Sequence, residues 1–231
     1  MAGGRRTAPP DRALKDQAYG MIKERINTLV YRPGSFLNEQ QISEDLGIGR
    51  TPVHMAISRL ALEDLVEVAP RKGVIVKPLS LDDFRAIYEA RLVNEPAAAA
   101  LAAQRATDED VRTLRAVVRQ GKAIRKGSLE DMIAADRAFH NGIADAAKSR
   151  VLSQILRALH DRSLRQMYLS WTYESGTNSD TVAEHKDVVE AIAARDPDRA
   201  EKAMRAHMQS SSLGFDRLFP SAFATSAVPT D

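Results

Sequence analysis

The chain contains no cysteine. Disulfides and thiolate metal cages are therefore excluded, which agrees with a reducing, cytoplasmic setting. Aromatic residues make up only 5%, yet the chain is apolar enough for real cores. No apolar run approaches the roughly 18 residues of a membrane span. Met1–Arg12 carries Pro9, Pro10 and basic residues but no apolar centre, so it does not read as a signal peptide. A strong excess of one charge is also missing, since the net charge is +2. Residues 1–78 hold 12 Lys and Arg against 9 Asp and Glu, or +3, and residues 79–231 hold 21 against 22, or −1. This asymmetry permits nucleic-acid binding by the first part without establishing it. There is no internal repeat and no long low-complexity tract.

With 231 residues the chain is long enough for two domains. The stretch Asn38–Val76 organises the first. It predicts a helix, a tight turn, a second helix and a two-stranded ribbon. Asn38 suits an N-cap, and Gln41 stands at capping-box spacing from it. Ile42 and Leu46 mark the inner face, and Gly47 supplies the turn. The second helix begins at Arg50–Pro52, where Pro52 is tolerated because first-turn N–H groups have no helical partner. Val53, Ala56, Ile57, Leu60 and Ala61 recur at the spacing of a buried stripe. The opposite face carries Arg50, Thr51, His54, Met55, Ser58 and Arg59. Cationic and hydrogen-bonding side chains at the exposed start of a short helix suit a DNA major groove. Leu65–Val68 and Val74–Val76 then flank Ala69-Pro70-Arg71-Lys72-Gly73, a hairpin with a basic tip. A helix-turn-helix of this length also occurs in helical proteins that bind no DNA; the basic ribbon and the cationic face favour DNA.

The runs Leu37-Asn38-Glu39, Leu46-Gly47-Ile48-Gly49-Arg50-Thr51-Pro52-Val53 and Arg71-Lys72-Gly73-Val74 resemble the winged helix of GntR-type bacterial transcription regulators. Where that family usually continues Val-Arg-Glu-Ala-Leu, this chain has Val53-His54-Met55-Ala56-Ile57. The resemblance implies DNA contacts from Arg50, Thr51, His54, Ser58, Arg59, Arg71, Lys72 and Gly73, with an operator sequence altered by His54.

Around this stretch, Met1–Pro10 reads as a flexible tail and Asp11–Tyr31 as one helix, with Leu14, Ala18, Met21, Ile22, Ile26 and Leu29 on its apolar side. Lys77-Pro78 forms a short linker. From Leu79 the pattern changes to six long helices: Leu81–Arg105, irregular at Pro96, then Asp108–Lys126, Leu129–Ala147, Val151–Tyr173, Thr181–Arg195 and Pro197–Phe215. Thr107 and Ser128 read as caps, Gly127 and Gly176–Asp180 as breaks, and Asp196-Pro197 as a turn and restart. The remainder, 216–231, reads as a second flexible tail. The expected domains are 11–78 and 79–215, and the expected fold is mainly α: an N-terminal winged helix-turn-helix with a small β-hairpin wing, then an all-α C-terminal domain.

Three of the five histidines fall on apolar helical stripes. Met132, Asp136, His140 and Ile143 share one face; so do Val182, His185, Val189 and Ile192; so do Ala200, Met204, His207 and Ser211. Burying Asp136, His140, His185 and His207 unpartnered costs several kcal/mol each in the least favourable case. A shared divalent cation would satisfy all four, and Asp-x-x-x-His on one helix is a chelating spacing. The alternative is four independent polar groups. An N₃O donor set admits Zn²⁺, Ni²⁺, Co²⁺ or Mn²⁺. His160 has no obvious acidic neighbour and is expected to lie outside the ligand set.

This half resembles the FCD ligand-binding domain of FadR-like GntR regulators. The likeness rests on Asp136-Arg137-Ala138-Phe139-His140, on Glu184–Ile192 and on Ala203-Met204-Arg205-Ala206-His207-Met208. It implies an antiparallel helical bundle in which the matching Asp and three His hold a metal, zinc first among the candidates. Six helices point to the VanR-type branch. Lys148-Ser149-Arg150 departs from the family, which often has Asn there. Arg91 follows Phe84 and Tyr88 on one helical side, and an inward guanidinium needs an anion. Its spacing equally allows an i,i+4 pair with Glu95, worth a few tenths of a kcal/mol; the resemblance implies contact with an effector carboxylate. The whole reads as a homodimeric regulator of a palindromic operator controlled by a small organic acid, and the resemblance implies a repressor, the commonest role in that family. A metal-dependent enzyme acting on a small carboxylate, or an architectural DNA binder with a structural metal, are the alternatives.

Overall fold

The computed structural model describes residues 10–69, 73–124, 128–173 and 179–218. The chain divides into two compact units, Met1–Leu79 and Ser80–Asp231. The first contains helix α1 (Pro10–Asn27), strand β1 (Phe36–Leu37), helices α2 (Glu39–Leu46) and α3 (Arg50–Leu62), and strands β2 (Val66–Ala69) and β3 (Gly73–Val76). Its core joins Ala18, Ile22 and Ile26 of α1 to Ile42 and Leu46 of α2 and to Val53, Ala56, Ile57 and Leu60 of α3. Val66, Val74 and Val76 close it from the sheet.

Asn38 caps α2 as its type suggests, but its side chain accepts from the Gln40 amide at 2.7 Å, so the expected box with Gln41 is replaced by a single shorter-range bond. Gly47 ends α2 in the left-handed region at φ 64°. Helix α1 ends four residues earlier than expected. Leu29 takes φ 61° instead of extending the apolar stripe. The turn sends Tyr31 into the core, with its hydroxyl near Arg25 Nη1 and Asp45 Oδ2 at 3.1 and 3.2 Å. The sheet has a third strand that periodicity did not reveal. The two residues of β1 pair antiparallel with β3, Phe36 opposite Ile75 and Leu37 opposite Val74, giving the order β1-β3-β2. Two residues are too few to carry an alternating pattern.

The second unit contains α4 (Leu81–Arg105), α5 (Asp108–Ala123), α6 (Leu129–Ala146), α7 (Arg150–Tyr173), α8 (Ser179–Ala193) and α9 (Pro197–Leu218). Its described residues form no strand. Helix α4 is central and packs on α6, α7, α8 and α9. The buried face formed by Ala98, Ala99, Ala102 and Ala103 lets neighbours approach its backbone closely. The helix runs unbroken through buried Pro96. The irregularity expected there reduces to the helical bond that Pro96, lacking an N–H, cannot donate to Leu92. Thr107 and Ser128 form capping boxes with Asp110 and Asp131. Asp110, which also binds Lys148, is lowered to about 2: burial opposes this, and the bonds from Lys148 and Thr107 outweigh it. Ser211, expected on an inner stripe, is exposed with its hydroxyl on the His207 carbonyl.

Two glycines of the first unit respond oppositely to a methyl group. Gly73 has φ 105°, and a Cβ there would lie 2.7 Å from the Leu37 carbonyl oxygen. Gly73→Ala should destabilise this unit by about 1–3 kcal/mol in urea unfolding. Gly20 lies in α1 with nothing within 4 Å of a built Cβ. Gly20→Ala should stabilise by about 1 kcal/mol through helix propensity; equal effects of the two changes would refute the Gly73 geometry.

Candidate metal centre and nucleic-acid interface

In the second unit, α6 supplies Asp136 and His140, α8 supplies His185 and α9 supplies His207. All four are buried, and one ligand-type atom from each lies within 4.8 Å of the others. Phe139 sets part of this arrangement. It is wholly buried and stacks on the His185 ring with centroids 3.6 Å apart.

The hydrogens can be placed from the partners. His207 Nδ1 lies 2.9 Å from Glu184 Oε2. An ionised carboxylate only accepts, so this nitrogen carries the proton in the neutral ring, and Nε2 keeps a lone pair. Arg91 Nη2 can only donate and lies 3.5 Å from His140 Nε2, so that nitrogen is likewise a lone pair, while His140 Nδ1 is turned to the Glu95 carboxylate. Yet His207 Nε2 and His140 Nε2 face each other at 3.4 Å, and His185 Nε2 is 3.3 Å from His207 Nε2. The Asp136 carboxylate adds negative charge, 3.5 Å from His185 Nε2 and 3.8 Å from His140 Nε2. Facing lone pairs beside a carboxylate repel unless a cation or proton lies among them. Ring nitrogens bound about 2.0–2.1 Å from one Zn²⁺ ion would be separated by a similar distance. The donors therefore fit a divalent cation. Glu184 and Glu95 would orient the two rings, as carboxylates commonly do behind metal-binding histidines.

Protonation states favour the same use. His185 is held well below the usual imidazole range by burial first, then by His207 and His140, with Glu95 opposing. Burial resists ionisation of Glu95, but Arg91, His140 and His160 overcome it and hold its carboxyl well below the usual range. Glu184 is lowered despite its burial by the bonds from His207 and Ser210.

Glu95 is the residue that sequence reasoning undervalued. It is 2% exposed, and its Oε1 receives Arg91 Nε at 2.6 Å and faces His160 Nε2 at 3.1 Å. The i,i+4 pair weighed as an intrahelical contact worth a few tenths of a kcal/mol is thus part of a buried hub. His160, expected to lack an acidic neighbour, bridges Glu95 and Asn141 Oδ1 at 3.1 Å each. The signal available was Glu95 itself, one turn after Arg91, but its inward direction depends on how α4 packs. Glu95, His140 and His160 also form a possible ligand cluster. The Arg91 guanidinium bonded to Glu95 makes that cluster unfavourable for a second cation. Arg91 Nη2 reaches the first site, 3.5 Å from His140 Nε2, while Nη1 lies 3.5 Å from Ser163 Oγ.

In the first unit, Arg50, Thr51, His54, Ser58 and Arg59 all lie exposed on α3. Arg50 Nη2 donates to Gln40 Oε1 at 2.7 Å, and His54 Nδ1 lies 3.0 Å from Glu39 Oε1. Ser58 donates back to the His54 carbonyl. Arg59 is engaged by α1: its guanidinium stacks 3.6 Å from the Tyr19 ring centroid and lies near Asp16 and Glu63. Gly73 opens β3, while Arg71 and Lys72 lie outside the described residues. No helix among the described residues is long and apolar enough to cross a membrane.

Residues 14–76 match the model of the bacterial regulatory proteins of the gntR family, and residues 86–210 match that of the FCD domain. The HTH-type transcriptional repressor RspR of Escherichia coli (strain K12) is 27% identical over 201 residues, 87% of this chain and 88% of that protein. The Nta operon transcriptional regulator of Aminobacter aminovorans is 26% identical over 179 residues, 78% of this chain and 83% of that protein. Among solved structures, E. coli McbR/YncC has the same fold, with a TM-score of 0.79 at 21% identity over 89% of this chain and 98% of that one.

The lowered proton affinities of His185 and His160 predict how stability follows pH. Both are depressed by burial. As pH falls through about 6.5, the unfolded chain takes up protons that the folded one resists, so stability is full above this value and falls below it. The thermal midpoint of metal-free protein should therefore drop between about pH 7 and pH 5. His185→Gln should flatten the drop; an unchanged slope would show that His185 does not titrate as described.

Proposed function

From the premise that the chain belongs to the GntR family of bacterial regulatory proteins and carries an FCD domain, we propose that this transcription regulator is a repressor whose operator affinity is set by a small organic acid. It acts as a cytoplasmic homodimer on a palindromic site, since two-fold DNA sites match two-fold proteins. The relative RspR is named a repressor, which supports that direction. In the operator complex Arg50 and Thr51 meet base edges, Ser58 and Arg59 flank them, and Arg71, Lys72 and Gly73 of the wing meet the backbone.

The observation that carries the effector reading is the placement of Arg91 beside the metal-ligand set, with Nη2 3.5 Å from His140 Nε2. Asp136, His140, His185 and His207 would hold Zn²⁺, or Ni²⁺, Co²⁺ or Mn²⁺, which would supply a Lewis-acidic anchor for an anion. Arg91 uses its Nε edge on Glu95 and directs Nη2 toward that anchor, with Nη1 at Ser163 Oγ. A carboxylate placed there is recognised from two sides, by the cation and by hydrogen bonds from the guanidinium.

Three variants separate the parts. Arg50→Ala should cost about 1–3 kcal/mol of operator affinity and relax sequence preference; binding that is indistinguishable from wild type would remove α3 from the interface. Arg91→Ala should abolish the response to a panel of hydroxy and keto acids while leaving effector-free operator binding intact, and an undiminished response would make Arg91 structural. Metal analysis of protein prepared without chelator or affinity tag should find about one equivalent of a divalent ion, lost in His207→Ala. An absence of metal, with no thermal stabilisation when ions are added, refutes the centre.

A further inference from the structure

The first turn of α2 holds two exposed side chains of α3. Gln40 accepts from Arg50 through Oε1 at 2.7 Å and donates to Glu44 through Nε2 at 3.0 Å, so its amide is oriented from both ends. Glu39 Oε1 holds His54 Nδ1 at 3.0 Å. Glu39 stands in the first turn of α2, where the unpaired N–H groups and the helix dipole favour a negative charge. An ionised carboxylate has no proton to give, so His54 Nδ1 must carry the hydrogen of this bond. The neutral ring then presents Nε2 as a lone pair on a side chain that is 64% exposed.

We propose that His54 reads an exocyclic amine, N6 of adenine or N4 of cytosine, through an Nε2 that Glu39 holds as an acceptor. This rests on the reading of α3 as the helix that enters the major groove. There adenine and cytosine present amine donors, whereas guanine presents N7 and O6 and thymine presents O4 as acceptors. An acceptor on the protein attracts the first pair and repels the second. Arg50 and His54, one helical turn apart, thus read in opposite senses: the guanidinium donates and the imidazole accepts. Glu39 is a positioning residue, acting on the DNA only through the tautomer it imposes on His54.

The test is selection from a randomised duplex pool at about pH 8, with the full-length wild type, His54→Ala and Glu39→Gln. Wild type should fix adenine or cytosine at one position of each half-site, and His54→Ala should lose the preference at that position alone. Replacing the selected base by its analogue lacking the amine should weaken wild type by about 2- to 13-fold, equivalent to the loss of one hydrogen bond at about 0.5–1.5 kcal/mol, and leave His54→Ala unaffected. Glu39→Gln, whose amide both donates and accepts, should blur the same position while preserving the rest of the site. Guanine or thymine at that position, a selection unchanged in His54→Ala, or a loss in Glu39→Gln spread evenly over all sequences would overturn the proposal. Wild-type protein that selects no duplex would instead overturn the reading of α3 as a DNA-binding helix.

Discussion

Two imidazole nitrogens turned toward each other with their lone pairs, His140 Nε2 and His207 Nε2 at 3.4 Å, impose the main constraint on the helical unit. The arrangement is unfavourable in isolation. It persists because each ring is held from behind, His207 by Glu184 and His140 by Glu95. Helices α4, α6, α8 and α9 each contribute to this set, so the position of every inner helix bears on it. A divalent ion would turn the mutual repulsion into four shared attractions, and its binding free energy would then be part of folding free energy.

Glu95 links that centre to the remaining buried charge. A buried ion pair is weak evidence for stability, since desolvation consumes most of the Coulombic gain, but removing one partner of such a pair is costly. Arg91 and Glu95 belong to this class, at 12% and 2% side-chain exposure. On the proposed reading their value is directional. Glu95 takes one edge of the guanidinium and leaves the others facing His140 and Ser163. An incoming carboxylate would then meet a cation already held in place, with little side-chain entropy left to lose.

The winged unit shows the same division between a face that packs and a face braced from outside. Val53, Ala56, Ile57 and Leu60 of α3 are buried in the core with α1, α2 and the sheet, and Ala61 is half-buried at its edge. Its outer face is held by Gln40, Glu39 and Tyr19, which engage Arg50, His54 and Arg59 in turn. Side chains restrained before binding lose less freedom on contact with DNA. The cost is that Arg59 must leave Tyr19 if it is to reach a base.

Much of this was legible in the residues alone. The period of Val53, Ala56, Ile57 and Leu60 defines α3 and therefore its outer face; the caps at Asn38, Thr107 and Ser128 locate three helix starts; and the spacing of Asp136 and His140 puts both on one buried face of α6. Such features depend on neighbours within one or two turns, and local geometry is what a linear pattern encodes. The C-terminal end of α1 and the strand β1 were not legible, because a turn at Leu29 and a two-residue strand are selected by the core that Tyr31 and β3 complete. Nor were Glu95 and His160. Their side chains meet across α4 and α7, 65 positions apart, and only the packing of those helices decides whether a carboxylate is solvated or becomes the hub of a buried network. Local pattern was enough to define which helices form and most of the faces they bury; which polar groups on those faces meet depends on how the helices pack, because hydrogen bonds between elements require distances that no single helix controls.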